Sequence, residues 1–125
     1  RIPLMSLYFK ELGFIFINRN SGFKSIKNII SSIKELEKRG VKKFIIFPEG
    51  TRIPVNTRGQ INPGVFAIHK ILKIPVLPIK HDSGRYWKNK RFIKEPGKIR
   101  VEFHPVIKNT SNKKLFMKKI EKIFY

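Results

Sequence analysis

Three short and almost continuous apolar runs, at residues 12–17, 44–47 and 74–79, alternate with segments whose apolar residues recur every three or four positions. Apolar runs of this length are typical of strands covered on both faces, whereas the three- and four-residue spacing is typical of amphipathic helices. Strand, helix, strand, helix, strand is the order of an α/β domain. The sequence therefore predicts an α/β fold with a mixed, largely parallel sheet flanked by helices.

Four segments carry the helical spacing. The first runs from Ile2 to Leu12 and is ended by Gly13, and the second begins after Gly22 and is ended by Gly40. A third helix follows Pro63, and a fourth occupies the tail from residue 111 to 125. The predicted inner faces are Ile26, Ile29, Ile30, Ile33 and Leu36 in the second helix, Val65, Ile68 and Leu72 in the third, and Phe116, Ile120, Ile123 and Phe124 in the fourth.

Four segments are predicted strands. Residues 14–17 form a compact β-prone run that ends in polar residues, and residues 44–47 read as a buried strand closed by Pro48. Residues 75–80 follow, with Pro78 indicating a sheet edge or a strand end. Residues 99–104 alternate apolar and polar side chains, which predicts an edge strand with one wet face.

The charge points to an anionic partner. The chain has 125 residues, with 28 Lys and Arg against 8 Asp and Glu, a net charge of +20. A phosphorylated substrate, an anionic membrane surface or a nucleic acid would each suit that excess. The lack of Cys excludes disulfides, thiolate catalysis and Cys-based zinc sites. Each apolar run is far shorter than the roughly twenty residues of a bilayer span.

The segment Phe47–Arg52, with the sequence FPEGTR, follows the second predicted strand, where α/β sheets build ligand loops. Gly50 allows close backbone approach, Thr51 adds a hydroxyl donor, and the planar fork of Arg52 matches phosphate oxygens. Because a carboxylate repels phosphate, Glu49 would hold an arginine or accept a hydrogen bond from a substrate hydroxyl. The alternative is a strand exit carrying a solvated ion pair.

Arg19 ends the first predicted strand in the same way that Arg52 follows the second. Two strand ends that each present an arginine could converge on one phosphate. On its own, Arg19 has the pattern of an ordinary surface arginine.

These segments together resemble the PlsC type of glycerolipid acyltransferase, the 1-acyl-sn-glycerol-3-phosphate acyltransferases. The hexapeptide Phe47–Arg52 is identical to the most specific motif of that family, Gly13–Arg19 resembles the preceding motif, and Ile74–Ile79 resembles the following Pro-containing strand. Further segments resemble a bacterial branch of the family: Asn62–Gly64, Ser83–Trp87 and Pro96–Ile107.

The resemblance implies transfer of a fatty acyl group from acyl-CoA or acyl-carrier protein to 1-acyl-sn-glycerol-3-phosphate, which makes phosphatidic acid in phospholipid biosynthesis. It implies an acceptor site, without metal or organic cofactor, that contains Arg19, Glu49, Gly50, Thr51 and Arg52. It also implies a bacterial protein with no nucleic-acid partner. The charge of +20 and the lysine-rich side of the last helix predict peripheral attachment through this segment to an anionic membrane surface, at the cytoplasmic face.

The sequence departs from the family at Asn18, where Asp is usual, and at Ile53, where Ser is frequent. The catalytic signature of the family is a His followed five positions later by an Asp, but Ile74, Tyr86 and Asn109 stand five positions after the three His residues. We therefore expect that signature upstream of Arg1. On this interpretation residues 1–125 are the C-terminal portion of a single acyltransferase domain, incomplete at its N-terminus and inactive by itself.

None of the three His residues is a good catalytic candidate. His81 and Asp82 are neighbours in an extended segment, so their side chains should point to opposite faces. His69 on a helix and His104 on a strand are expected to be structural. Two other functions remain open: a non-catalytic lipid-binding relative, and a basic RNA-binding module. The second is disfavoured because most aromatic residues are Phe within apolar runs rather than exposed stacking residues.

Overall fold

The computed structural model describes residues 7–9, 11–15, 22–54, 56–88 and 91–125. The chain divides into two compact units, Arg1–Ile45 and Ile46–Tyr125. The first unit contains helix α1, Gly22–Lys38. The second contains, in order, α2 (Gly64–Leu72), β1 (Ile79–His81), a one-turn 3₁₀ helix (Ser83–Arg85), β2 (Val101–Phe103) and α3 (Lys113–Phe124).

Helix α1 buries the predicted apolar face and stops at the predicted glycine. Ile33 is buried, and the other four apolar residues of that face are half-buried. Beyond the helix, the amide of Gly40 donates to the carbonyl of Glu37 at 2.9 Å, and the amide of Val41 donates to Leu36 at 3.0 Å. Gly40 has a φ of 89°, a left-handed conformation that costs glycine little and other residues more. The sequence signal for this helix end is confirmed.

The first predicted helix also ends where the sequence indicates. Residues 7–9 and 11 are helical, and after Gly13 the amide of Phe14 donates to the carbonyl of Phe9 at 2.9 Å. The rings of Phe9 and Phe14 lie 5.0 Å apart, the apolar contact that often accompanies this kind of helix end. Phe14 and Ile15 are not in a strand. The rest of that predicted strand, with Arg19, lies outside the described residues.

The core of the second unit forms where α2 and α3 pack together. Phe116 of α3 is fully buried, and its ring centroid lies 5.4 Å from that of Phe66 on α2. Ile61, Ile107 and Ile120 complete the buried cluster. The Asn112 side chain caps α3 by accepting from the amide of Leu115 at 3.0 Å. The predicted inner face of α3 is confirmed, whereas the sequence reading of α2 omitted Phe66.

The two strands pair antiparallel, with Ile79 opposite Phe103 and His81 opposite Val101. Nearer the core, Val76 and Ile107 exchange two backbone hydrogen bonds of 3.0 and 2.8 Å. The register shifts by one residue between these two pairings. Ile79 lies three residues after Val76, whereas Ile107 lies four residues after Phe103. The extra residue is a bulge, which bends a strand locally.

The α/β class is confirmed, but the predicted largely parallel sheet is not found in the described residues, where both pairings are antiparallel. The prediction of a buried strand at residues 44–47 is wrong: the segment is not in a strand and has no strand partner among the described residues, and Ile45 and Phe47 are 87% and 73% exposed. Apolar composition favours burial, but a strand also needs a neighbouring strand for its backbone hydrogen bonds. The predicted single wet face of residues 99–104 is also wrong, since Val101 and Phe103 are exposed.

Replacing Phe116 with alanine should lower the free energy of unfolding by about 3–5 kcal/mol, because it removes a buried ring and leaves a cavity between α2 and α3. Leu115 is the matched control, since it is the neighbouring residue on α3 and is about half exposed. Leu115→Ala should change the stability by about 0.5 kcal/mol or less. Urea denaturation measures both values, and equal losses would contradict the assigned core.

Candidate functional site

The FPEGTR segment forms a turn with an exposed tip. The amide of Gly50 donates to the carbonyl of Phe47 at 3.0 Å, and Gly50 has a φ of 65°. A left-handed conformation at this position favours glycine over residues with a Cβ. Gly50, Thr51 and Arg52 are exposed, whereas Glu49 is half-buried. The exposed tip of the turn therefore carries a hydroxyl, on Thr51, and a guanidinium, on Arg52, whereas the carboxylate belongs to a half-buried residue.

Asn62 links this turn to the start of α2. Its backbone amide donates to the carbonyl of Pro48 at 2.8 Å, and its side-chain oxygen accepts from the amide of Gly64 at 2.8 Å. The next two amides of α2 also have partners, because Val65 donates to Asn62 at 3.3 Å and Phe66 donates to Pro63 at 3.1 Å. Helix starts often bind anions through free amides. Here the amides of Gly64, Val65 and Phe66 already have partners, so they are not available to bind an anion.

Glu49 accepts a hydrogen bond from the hydroxyl of Tyr125, the residue that follows α3. Burial raises the pKa of Tyr125 to about 12, and the hydrogen bond to Glu49 adds to that increase. Gly59 packs closely here, since a Cβ at that position would lie 2.7 Å from the Tyr125 hydroxyl and from Ile53. The carboxylate of the motif is thereby tied to the far end of the unit.

Arg58 adds a second guanidinium to this cluster. Its Cζ lies 5.7 Å from the centroid of the Tyr125 ring, and its Nη2 lies 3.5 Å from Oε2 of Glu121. The Arg58 side chain is 70% exposed, so the ion pair contributes little to stability. The contact with Glu121 and the tyrosine ring places the Arg58 guanidinium beside Tyr125, whose hydroxyl binds Glu49.

Four of the five predicted site residues, Glu49, Gly50, Thr51 and Arg52, therefore share one turn, and the fifth, Arg19, lies outside the described residues. The sequence reading left three contributors unassigned: Asn62, Arg58 and Tyr125. Asn62 belongs to a tripeptide that resembles the bacterial branch of the family, which was a usable signal. Tyr125 is 76 residues from Glu49 in the chain, and no local pattern connects them.

Comparison with known proteins assigns the family. The sequence model of the acyltransferase family matches residues 1–82, a span that includes the whole FPEGTR turn. The chain belongs to the acyltransferase family. This assignment confirms the PlsC-type resemblance drawn from the motifs.

Two curated relatives support the acyltransferase assignment. A 1-acyl-sn-glycerol-3-phosphate acyltransferase from Pseudomonas aeruginosa is 38% identical over 106 residues, which is 85% of this chain and 41% of the relative. A probable 1-acyl-sn-glycerol-3-phosphate acyltransferase from Mycoplasma genitalium is 31% identical over 90 residues, which is 70% of this chain and 32% of the relative. The aligned part of this chain thus spans less than half the length of either relative. No solved structure matches the chain.

Two histidines of this acyltransferase, His69 and His81, have hydrogen-bond partners within the chain. The ring of His69 is buried and stacks on Phe116, its Nδ1 lies 2.6 Å from the carbonyl of Ile74, and its Nε2 accepts from the amide of Thr110 at 3.4 Å. Because a carbonyl only accepts, Nδ1 is the donor in the contact with Ile74, while Nε2 accepts from Thr110. The predicted structural role of His69 is confirmed.

His81 and Asp82 have different hydrogen-bond partners. Nδ1 of His81 lies 2.8 Å from the hydroxyl of Ser83, whereas Oδ1 of Asp82 accepts from the amide of Arg100 at 2.8 Å.

Other features of the described residues lie away from the FPEGTR turn. A cavity of about 780 Å³ is lined by residues of the strand pair, the segment that follows it, and α3, and none of its lining residues belongs to the turn. Within the described ranges, no cluster of three or more His, Cys, Asp or Glu side chains could hold a metal ion. No described helix is both long enough and apolar enough to span a bilayer.

The link between Glu49 and Tyr125 predicts a distinctive titration. Of the three tyrosines in the chain, Tyr125 should lose its proton near pH 12. Glu49→Gln should lower that pKa, because it removes the negative charge, but burial should keep the value above 10. Absorbance of the phenolate measures the titration.

Tyr8→Phe is the control, because it removes another tyrosine of the chain and leaves Tyr125 and Glu49 unchanged. That variant should leave the step near pH 12 unchanged, and Tyr125→Phe should abolish it. A step that survives in Tyr125→Phe would contradict the assignment.

Proposed function

We propose that this acyltransferase chain binds the phosphate of a 1-acyl-sn-glycerol-3-phosphate acceptor at its FPEGTR turn. The full protein would transfer a fatty acyl group to that acceptor from acyl-CoA or acyl-carrier protein and make phosphatidic acid. The observation that carries the proposal is the exposed Gly50–Arg52 tip, which is held in place on both sides by Asn62 and by Tyr125. The names of both relatives support the same acceptor.

Phosphate binding follows from the donors of the tip. The guanidinium of Arg52 offers two parallel N–H groups to phosphate oxygens, and the hydroxyl of Thr51 offers a third donor. Because Gly50 has no Cβ, the ligand can approach the backbone of the turn. Fixing the phosphate would fix the position of the acceptor hydroxyl relative to a base, which is the main way that binding energy assists such a transfer.

Glu49 has a positioning role in this proposal. Its carboxylate is bound to the hydroxyl of Tyr125 and half-buried, so it is turned away from an anion at the exposed tip. An unpaired carboxylate beside the phosphate would repel it. The Tyr125 contact therefore serves both to orient the turn and to keep this negative charge away from the ligand.

The chain itself should bind the acceptor without turning it over. None of its His residues has an Asp five positions later, and the ring of His69 is already engaged on both nitrogens. General base catalysis typically contributes about a hundred- to ten-thousand-fold. We therefore assign the base to the part of the full protein that this chain does not contain, and we propose that no metal or organic cofactor is needed. Arg19 remains a predicted second phosphate ligand.

The family match runs from residue 1 to 82 and so extends into both compact units. This span supports the proposal that both units belong to one acyltransferase domain.

The chain would bind the cytoplasmic face of a membrane, because it carries a charge of +20 and α3 exposes five lysines. These are Lys113, Lys114, Lys118, Lys119 and Lys122.

Arg52→Ala should weaken the binding of glycerol 3-phosphate, a soluble probe for the acceptor headgroup, roughly tenfold or more. A hydrogen bond to a charged group is worth about 1.5–3 kcal/mol, and each 1.4 kcal/mol is about a factor of ten in Kd. Isothermal titration calorimetry on the chain measures the affinity. Arg39→Ala is the matched control, because Arg39 is an exposed arginine at the end of α1.

Equal losses of affinity in the two variants would reduce the effect to net charge and contradict a specific site. Acyl transfer to lysophosphatidic acid should be undetectable with this chain. Turnover that is abolished by Arg52→Ala would show that the chain does contain the base. Tight RNA binding that excludes glycerol 3-phosphate would favour the RNA-binding alternative.

Binding to vesicles should require anionic lipid and should weaken as salt rises, since basic residues near an anionic surface contribute about 1 kcal/mol each. Lys118→Glu with Lys122→Glu on α3 should weaken binding by about tenfold or more. The matched control is Lys34→Glu with Lys38→Glu on α1, which makes the same charge change at the same spacing. Vesicle flotation measures binding, and equal binding to neutral vesicles would contradict the electrostatic account.

A further inference from the structure

The connection between β1 and β2, residues 82–100, carries three apolar side chains that the described part of the chain leaves uncovered. Phe92 is fully exposed, Ile93 is 82% exposed and Trp87 is 60% exposed. Single exposed apolar residues are ordinary, but two aromatic rings and an isoleucine within seven residues are a surface feature that calls for a partner. We call this connection the basic loop and these three residues its apolar tip.

Contacts between the first and last residues of the basic loop hold its two ends together. At the base, the amide of Arg100 donates to the Asp82 carboxylate at 2.8 Å, and the amide of Asp82 donates to the carbonyl of Arg100 at 3.3 Å. Farther along, the amide of Glu95 donates to the carbonyl of Tyr86 at 2.9 Å. Gly97 lies against the Tyr86 ring, where a Cβ would meet it at 1.9 Å. The exposed apolar residues therefore belong to a loop whose two ends are joined by hydrogen bonds and packing.

The charge around the tip is almost entirely positive. The basic loop, residues 82–100, contains seven Lys or Arg and two carboxylates, Asp82 at its base and Glu95. Lys88 pairs with Glu95 at 2.5 Å and lowers the pKa of that carboxyl, so Glu95 stays ionised but locally compensated. The ammonium of Lys94 lies 4.8 Å from the centroid of the Trp87 ring. Aromatic and aliphatic side chains ringed by lysines and arginines are typical of segments that lie in the headgroup region of an anionic bilayer.

We propose that the apolar tip of the basic loop inserts into the headgroup and upper acyl region of an anionic bilayer. This inference rests on the proposed membrane attachment and assigns insertion to an element other than the lysine face of α3. A second copy of the chain would bring like charges together, whereas an anionic bilayer supplies opposite charge around an apolar interior. Charge complementarity therefore selects the bilayer over self-association.

Trp87 is the only tryptophan of the chain, so its fluorescence reports on the tip directly. Vesicles of phosphatidylcholine with phosphatidylglycerol should shift the emission to shorter wavelength, and brominated acyl chains in those vesicles should quench it. Pure phosphatidylcholine vesicles should produce a much smaller shift at the same lipid concentration. These measurements use the unmodified chain.

Phe92→Ser and Ile93→Ser should each weaken partition into the anionic vesicles about tenfold, since each removes an apolar side chain from the bilayer. Ile71→Ser on α2 is the matched control, because Ile71 is 54% exposed and lies outside the loop. That variant should bind as the unmodified chain does. Circular dichroism of all three should match, because none of the replaced residues is in the core.

The outcomes separate the insertion from the proposed attachment. Salt-sensitive flotation with an unshifted and unquenched Trp87 would overturn the insertion and leave the attachment through α3 intact. Absence of vesicle binding would overturn both, while acceptor binding at Arg52 is measured independently. Self-association without vesicles that Phe92→Ser removes would assign the tip to a second copy and also overturn the proposal.

Discussion

The arrangement of the second unit depends on the burial of one ring, that of Phe116. On one side it packs against Phe66 of α2, and on another it stacks on His69 at a centroid distance of 5.1 Å. The two ring nitrogens of His69 form hydrogen bonds with the carbonyl of Ile74 and the amide of Thr110. Ile74 lies just before β1 in the chain, and Thr110 lies just before α3. A buried, fully hydrogen-bonded imidazole avoids the cost of unpaired polar atoms. Two ring contacts and two hydrogen bonds thereby join the two helices to the segments that flank the strand pair.

The candidate site depends on this core at a distance. Because Phe116 fixes α3 against α2, the residue at the end of α3, Tyr125, is placed where it can bind Glu49. The start of α2 supplies the other attachment of the turn through Asn62. The two helices that form the core therefore also hold the two sides of the FPEGTR turn. The position of the exposed Arg52 therefore depends on the packing of α2 against α3, although Phe116 is distant from Arg52 in the sequence.

Helix ends and faces were the most predictable parts of the structure. Gly13 and Gly40 end their helices as expected, and the inner face of α3 follows its three- and four-residue spacing, because these signals are local and act within one turn of backbone. The strands were the least predictable. Residues 44–47 have the composition of a buried strand, yet no residue that the structure describes pairs with them, and two of their side chains are largely exposed. Pairing depends on a second segment that local composition does not specify.

By itself, the sequence determined the family, the identity of the FPEGTR residues, the absence of thiol chemistry and the strongly basic charge, since each depends only on residue type and order. The tertiary structure decided the partner of Glu49, the closed first turn of α2, and the display of Trp87 and Phe92 beside lysines on the basic loop. These features join residues far apart in the chain, or depend on which apolar side chains the core leaves uncovered. Local sequence patterns cannot contain that information, because burial and long-range hydrogen bonds are settled only when the elements pack together.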